Sequence, residues 1–269
     1  MLSAIIELIL FHFTTYIFHS LLVIALTIIF IIIIKKTRQR FKAKKTLGFI
    51  ILCYSLVFWN ASILSSMGTG SFVGSNYVIT NHHVANKSCR KITVQDANII
   101  YEAKFLGGYK KDDIDLSFLK VSGATKENFL AINLENLKHG EQLYFPDYYK
   151  NNPGYFSVST GMVNLTKQNV SDNNLALSSK NVRPGNSGSP IVNSNGELVG
   201  VLWGGDLKGH FIHAHGVGSN GFFNDMEVVV NLAKELDITL HQAPKRKYYK
   251  GNISDFINHV SVTVTCHRL

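Results

Sequence analysis

Cysteine is scarce in this chain: 269 residues hold three, Cys53, Cys89 and Cys266. That is too few for the disulfide framework of a small secreted scaffold. Cys53 falls in an apolar run, so only Cys89 and Cys266 remain to pair in the more polar part, and the sequence leaves their pairing open. Acids are nearly missing at the start. Through Thr46 there are 7 basic residues and 1 acid, a balance of +6, whereas the remainder has 20 and 17, a balance of +3 that completes the net +9. The later part is therefore almost neutral, and nothing in it points to a DNA or RNA partner. Internal repeats and low-complexity linkers are also absent.

What the start does contain is hydrocarbon. From Met1 to Ile34 the only charge is Glu7, and Leu21 to Ile34 is unbroken apolar sequence apart from Thr27. A bilayer takes about 20 such residues as a helix, so residues 1–34 are read as a transmembrane segment. A cleavable signal peptide fits poorly, because no basic stretch precedes the apolar run and lysines rather than small residues come after it. Residues 35–46 form a basic loop, placed in the cytoplasm by the positive-inside bias, with Met1 outside. Residues 47–66 are read as a second span, with Tyr54 and Trp59 suited to an interface. That puts the rest of the chain outside the cytoplasmic membrane. The rival reading makes Ser55 to Leu64 a barrel strand, which leaves one span and a cytoplasmic domain.

After residue 67 the pattern changes to short β-branched runs separated by turn residues: Phe72-Val73, Tyr77-Val78-Ile79, Ile92-Thr93-Val94, Phe156-Ser157-Val158 and Leu198 to Val201. These predict an all-β architecture. Asn224-Asp225-Met226-Glu227 has the form of a capping box opening a helix through Leu236. Residues 241–269 read as a basic tail of unknown role, with a helix and a strand within Ile253–Val264.

Three sites in this pattern carry chemistry. Gly185-Asn186-Ser187-Gly188-Ser189-Pro190 is a glycine-bracketed turn that exposes a serine hydroxyl and frees backbone N–H groups for an oxyanion. Upstream, Thr80-Asn81-His82-His83-Val84 ends a strand-like run on histidines, and Asp115 leads the apolar run Leu116 to Val121. Singly, these are an ordinary turn, a half-buried histidine and a strand-edge charge. Together they stand in the order His, Asp, Ser.

In that order the segments resemble the chymotrypsin-like serine proteases, in particular the branch of HtrA-type proteases, glutamyl endopeptidases and exfoliative toxins. The resemblance also takes in Gly68-Thr69-Gly70-Ser71-Phe72-Val73, Ser157 to Val163 as a strand opening the second barrel region, and Asn195 to Gly205, and it spans about Gly68 to Leu236. It implies two six-stranded β-barrels with a closing helix, here over residues 67–240, and a serine endopeptidase acting on protein or peptide substrates without a cofactor. By position in the motifs, His83 rather than His82 is the general base and Asp115 rather than Asp112 or Asp113 orients it. Ser187 is then the nucleophile, and the amides of Gly185 and Ser187 form the oxyanion hole. The family's substrate strand corresponds to Val201-Leu202-Trp203-Gly204. Where glutamyl endopeptidases carry a histidine before the tryptophan this chain has Leu202, and where trypsin-type enzymes carry an acid six residues before the serine it has Asn181. Neither charged specificity is supported, which leaves an uncharged or small side chain at P1. The bacterial cytoplasmic membrane, with the protease outside, is the location implied.

Two other readings stay open. His210, His213 and His215 have spacings at which imidazoles ligate zinc, but no acid or cysteine ligand lies nearby, and solvent-facing strand histidines or a pocket-lining histidine explain them more simply. The alternative function is a catalytically silent protease fold that captures peptides at the membrane. The sequence sets no oligomeric state.

Overall fold

The computed structural model describes residues 65–111, 114–148, 153–165, 174–179, 181–205, 220–242 and 251–268. The two apolar segments before Ser65 and the three histidines at 210, 213 and 215 lie outside the described residues. Among the described residues no helix is long and apolar enough to cross a membrane.

Among the described residues, twelve strands form two closed barrels. The first comprises β1 (Ser65–Phe72), β2 (Tyr77–Thr80), β3 (Lys91–Asp96), β4 (Ile99–Lys111), β5 (Ile114–Val121) and β12 (Ser261–His267), in the order β1-β12-β3-β4-β5-β2. The second comprises β6 (Gln142–Tyr148), β7 (Phe156–Asn164), β8 (Asn174–Ser178), β9 (Pro190–Val192), β10 (Leu198–Gly205) and β11 (Asn220–Asn224), in the order β10-β11-β8-β7-β6-β9. Closure leaves neither sheet an unpaired edge. The six-stranded count per barrel thus agrees with the expectation from sequence.

Side-chain alternation decides which core each strand serves. On β5, Leu119 and Val121 point into the first barrel with Phe72, Val78, Val94, Val262 and Val264. Leu116 and Phe118, on the opposite face, join a cluster between the barrels with Ile79, Val201, Met226, Val229 and Leu232. The second barrel is filled by Leu143, Phe145, Leu177, Ile191, Leu202 and Phe223. Each such side chain contributes roughly 1.5–3 kcal/mol by leaving water. Because β5 is covered on both faces, the aspartate at its start is fixed at the seam between the barrels.

Three details differ from the sequence expectations. The helix after β11, α1 (Met226–Glu235), begins one residue later than the box suggests. Its cap is Asp225, whose carboxylate accepts from the amides of Glu227 and Val228, and Asn224 ends β11 instead. Nor is α1 the final element, since α2 (Ile253–Val260) and β12 come after it. The helix and strand read in the tail do exist, but the strand has a role no local pattern reveals: β12 lies between β1 and β3 and completes the first barrel. Ser157 to Val163 belongs to β7, the second strand of its barrel, after β6.

The Cys89–Cys266 pair is bonded, with Cα atoms 5.3 Å apart across a separation of 177 residues. It fastens the loop after β2 to β12. Beside it the Arg90 amide donates to the carbonyl of His267 at 2.7 Å.

Candidate active site

The strand β2 ends at Thr80 and the chain turns immediately, the amides of Val84 and Ala85 both donating to the carbonyl of Asn81. The Asn81 side chain, fully buried, donates to the carbonyl of Asp115 at 2.7 Å and so ties this turn to the start of β5. One oxygen of the Asp115 carboxylate accepts from the His83 amide at 2.9 Å, and the other meets Nδ1 of the same histidine at 2.8 Å. Held at both backbone and ring, His83 keeps one orientation. An ionised carboxylate can only accept, so Nδ1 carries the proton and Nε2 is left as the acceptor.

His82 does not share this arrangement. Its ring stands edge-on to Phe105 at 6.0 Å and lies against Gly108, and burial lowers its pKa although Asp115 pulls the other way.

Two partners of Asp115 have no signature in the local sequence. Lys110, opposite Asp115 in the β4–β5 pair, places its Nζ 2.9 Å from the carboxylate oxygen that His83 uses. The Asp115 amide donates to Asn224 Oδ1 at 3.2 Å, across 109 residues. Burial pushes the Asp115 carboxyl up, but hydrogen bonds from the His83 ring, Lys110 and the His83 amide outweigh it and hold the pKa at about 2.

That depression has a measurable consequence. Below an unfolded pKa near 3.8 the unfolded chain takes up this proton while the folded one does not. The stabilisation is therefore complete above about pH 4 and is lost as pH falls toward 2. It amounts to about 2 kcal/mol at most, because Lys110 and His83 are partly exposed. Urea titrations between pH 2 and 6 should show that much less pH dependence in Asp115→Asn than in the parent.

The serine turn is built on the strand that also supports the histidine turn. Thr69 in β1 donates its amide to the Ser187 carbonyl and its hydroxyl to the Gly185 carbonyl, both at 2.8 Å. Its own carbonyl accepts from Thr80 Oγ1 at 2.6 Å, at the end of β2. A Cβ on Gly68 would lie 2.6 Å from Val84, the residue after His83, and 2.7 Å from the Ser187 carbonyl. The glycine-rich segment is thus the thin plate across which the two turns approach. Gly188 is equally confined, since its φ of 87° is left-handed and a Cβ there would stand 2.0 Å from the Thr69 carbonyl oxygen.

Within the turn, the amides of Asn186, Gly188 and Ser189 donate to the carbonyls of Arg183, Leu202 and Asn186. Those of Gly185 and Ser187 donate to no group among the described residues.

The residues expected to contact substrate separate into two kinds. Trp203 is half-buried with its ring 6.1 Å from Phe222, and a Cβ on Gly204 would meet nothing within 4 Å among the described residues. These two sit where β10 is irregularly paired, with a register shift between Leu202 and Gly204. Leu202, in contrast, is 1 % exposed inside the second barrel, so its side chain belongs to the core rather than to a surface pocket. Asn181 is exposed, and its carbonyl accepts from the Asn186 side chain at 3.2 Å and Arg183 Nε at 3.4 Å. It reaches the turn by its backbone. Among the described residues no three metal-ligating side chains converge. A polar hollow of about 460 Å³ lies elsewhere on the second barrel, lined by Asn133, Lys138, Glu141 and Asn195 among others.

Residues 68–201 match the model of the trypsin-like peptidase domain. Among solved structures, the chain is similar to the active form of the Rv3671c protease from M. tuberculosis, with 20% identity, a TM-score of 0.51, and 65% of this chain and 76% of that one covered. The inactive form of Rv3671c protease gives 20% identity and a TM-score of 0.50 over 64% of this chain and 88% of that one. At such identities the likeness shows the fold.

Proposed function

Since the chain carries a trypsin-like peptidase domain of the chymotrypsin-fold serine endopeptidases over residues 68–201, we propose that it hydrolyses peptide bonds through His83, Asp115 and Ser187 while tethered to a membrane. The observation that carries this reading is the doubly held histidine, whose ring and amide both meet the Asp115 carboxylate.

In this mechanism Ser187 Oγ attacks the scissile carbonyl while His83 Nε2 takes its proton. The carbonyl π electrons move to oxygen, which the amides of Gly185 and Ser187 receive, a contribution of roughly 3 kcal/mol per donor. As the C–N bond breaks, His83 returns the proton to the leaving amine, and water then releases the acyl group by the same steps. Asp115 stabilises the imidazolium without taking its proton.

The peptide lies along Trp203 and Gly204 as an added strand, with an uncharged or small P1 side chain. The core position of Leu202 removes one of the two arguments for that preference, so the exposed Asn181 now carries it alone.

For the tether, residues 1–34 and a second segment from residue 47 span the bilayer on either side of the basic loop 35–46. The second span ends before Ser65, two residues short of the bound read from sequence, because Ser65 and Ser66 pair with His267 and Cys266 in the first barrel. In support, the six described strands close the first barrel among themselves. The Cys89–Cys266 bond favours an oxidising compartment, hence the extracytoplasmic side.

The reading is tested by a fluorophosphonate probe on the full chain in membranes. Labelling that disappears in Ser187→Ala is expected, and no labelling of folded parent protein would instead indicate a peptide-capturing module. A reporter fused after Met67 that works only in the cytoplasm should stay silent.

A further inference from the structure

Beneath the serine turn lies a charge that none of the chemical steps uses. Asp147, in β6, is 4 % exposed. Its carboxylate meets the Arg183 guanidinium at 2.9 Å and the Ser159 hydroxyl at 3.5 Å, and the Asn186 side chain also interacts with it. Arg183 and Asn186 are two residues before and one residue after Gly185. They are joined to each other, the Asn186 amide donating to the Arg183 carbonyl at 3.1 Å, and both donate side-chain N–H groups to the Asn181 carbonyl. One residue back along β6, the Pro146 carbonyl accepts from Ser189 Oγ at 3.3 Å. Both flanks of the turn are therefore fixed to one short stretch of β6.

Such anchoring matters because Gly185, at φ 102°, occupies a conformation that glycine enters and leaves cheaply. Nothing intrinsic to that residue holds its amide outward. Together with the Thr69 hydrogen bonds to the Gly185 and Ser187 carbonyls, a buried carboxylate supplies that constraint: burial already raises its pKa, so without its cation it would be either an uncompensated charge or driven to take up a proton. Accordingly, the pair favours the arrangement in which the turn keeps Arg183 within reach of Asp147.

From this geometry we infer that the Asp147–Arg183 ion pair is a positioning device that holds the Gly185 and Ser187 amides toward the oxyanion. Neither residue touches substrate. The inference rests on the catalytic reading above, and the two fail separately.

The test compares the full chain with Arg183→Met, Arg183→Lys, Asp147→Asn and the double variant Asp147→Asn/Arg183→Met. Arg183 is 48 % exposed at its side chain, so its replacement removes no core packing and acts on the buried Asp147 carboxylate. If the amides are displaced, kcat of Arg183→Met falls by about 100-fold, the scale of losing an oxyanion donor, while KM changes less than about threefold. A peptide boronate should weaken by the same factor as kcat, and Arg183→Lys should recover part of the loss. The double variant should be no worse than the poorer single one, since either change breaks the same pair. Should kcat of Arg183→Met stay within twofold of the parent, or should the two single losses multiply in the double variant, the inference is overturned. If Asp147→Asn does not fold, the Arg183 variants alone decide it. Parent protein that Ser187→Ala fails to distinguish in fluorophosphonate labelling would overturn the catalytic reading instead.

Discussion

Ser187→Ala in the full chain is expected to lower kcat on peptide substrates by on the order of a million-fold, with His83→Ala falling as far and the double variant no further. The two groups act as one unit: a hydroxyl without its base is a poor nucleophile, and a base without its hydroxyl has no proton to take. Folding should be nearly untouched by Ser187→Ala, because the turn's hydrogen bonds run through backbone groups and through Thr69, Asn186 and Ser189 rather than through the Ser187 side chain. Equal melting temperatures with the activity gone would meet this expectation. Residual turnover above a hundredth of the parent rate would mean that peptide cleavage proceeds through some other group. The measurement needs an active-site titration, since a trace of parent enzyme can mimic a weak variant.

The second large effect concerns stability. The Cys89–Cys266 bond closes a loop spanning 177 residues of sequence, from the histidine side of the first barrel to β12. In the chain-entropy model a loop of that size corresponds to about 5 kcal/mol, with losses of about 2–5 kcal/mol typical when such bonds are removed. Cys89→Ser should therefore lower the denaturant midpoint strongly. Reductant should destabilise the parent to a similar degree and leave Cys89→Ser unmoved. A parent protein equally stable with and without reductant would show that the barrel holds β12 by strand pairing alone.

How much of the site is legible in the sequence depends on how far apart the interacting residues lie. The serine turn, the histidine after β2 and the aspartate opening β5 each sit in a local pattern that names its own position, so their order can be read directly. Lys110 cannot be found that way, because its partner is set by the register of the β4–β5 pair. Asn224 is legible only as part of a helix start, whereas its side chain serves Asp115 at a distance of 109 residues in sequence. The place of Leu202 before Trp203 suggests a pocket residue, but strand alternation turns it into the barrel, and the irregular pairing of β10 at Trp203 changes the facing of the residues beyond it. Asp147 and Arg183 look like unrelated surface charges until the second barrel brings β6 under the turn. The barrels are readable as alternating strands, but the partner of β1 is not, since it lies at the other end of the domain.

That last pairing has a consequence for how the enzyme is made. A ribosome releases β1 through β5 long before Ser261–His267, yet the first barrel cannot close until those final residues slot between β1 and β3. Until then β1 and β3 lack the strand that joins them in the folded barrel. A product that stops before Ser261 is therefore expected to lack peptidase activity whatever the state of its serine, which a peptide-cleavage assay on the truncated chain checks.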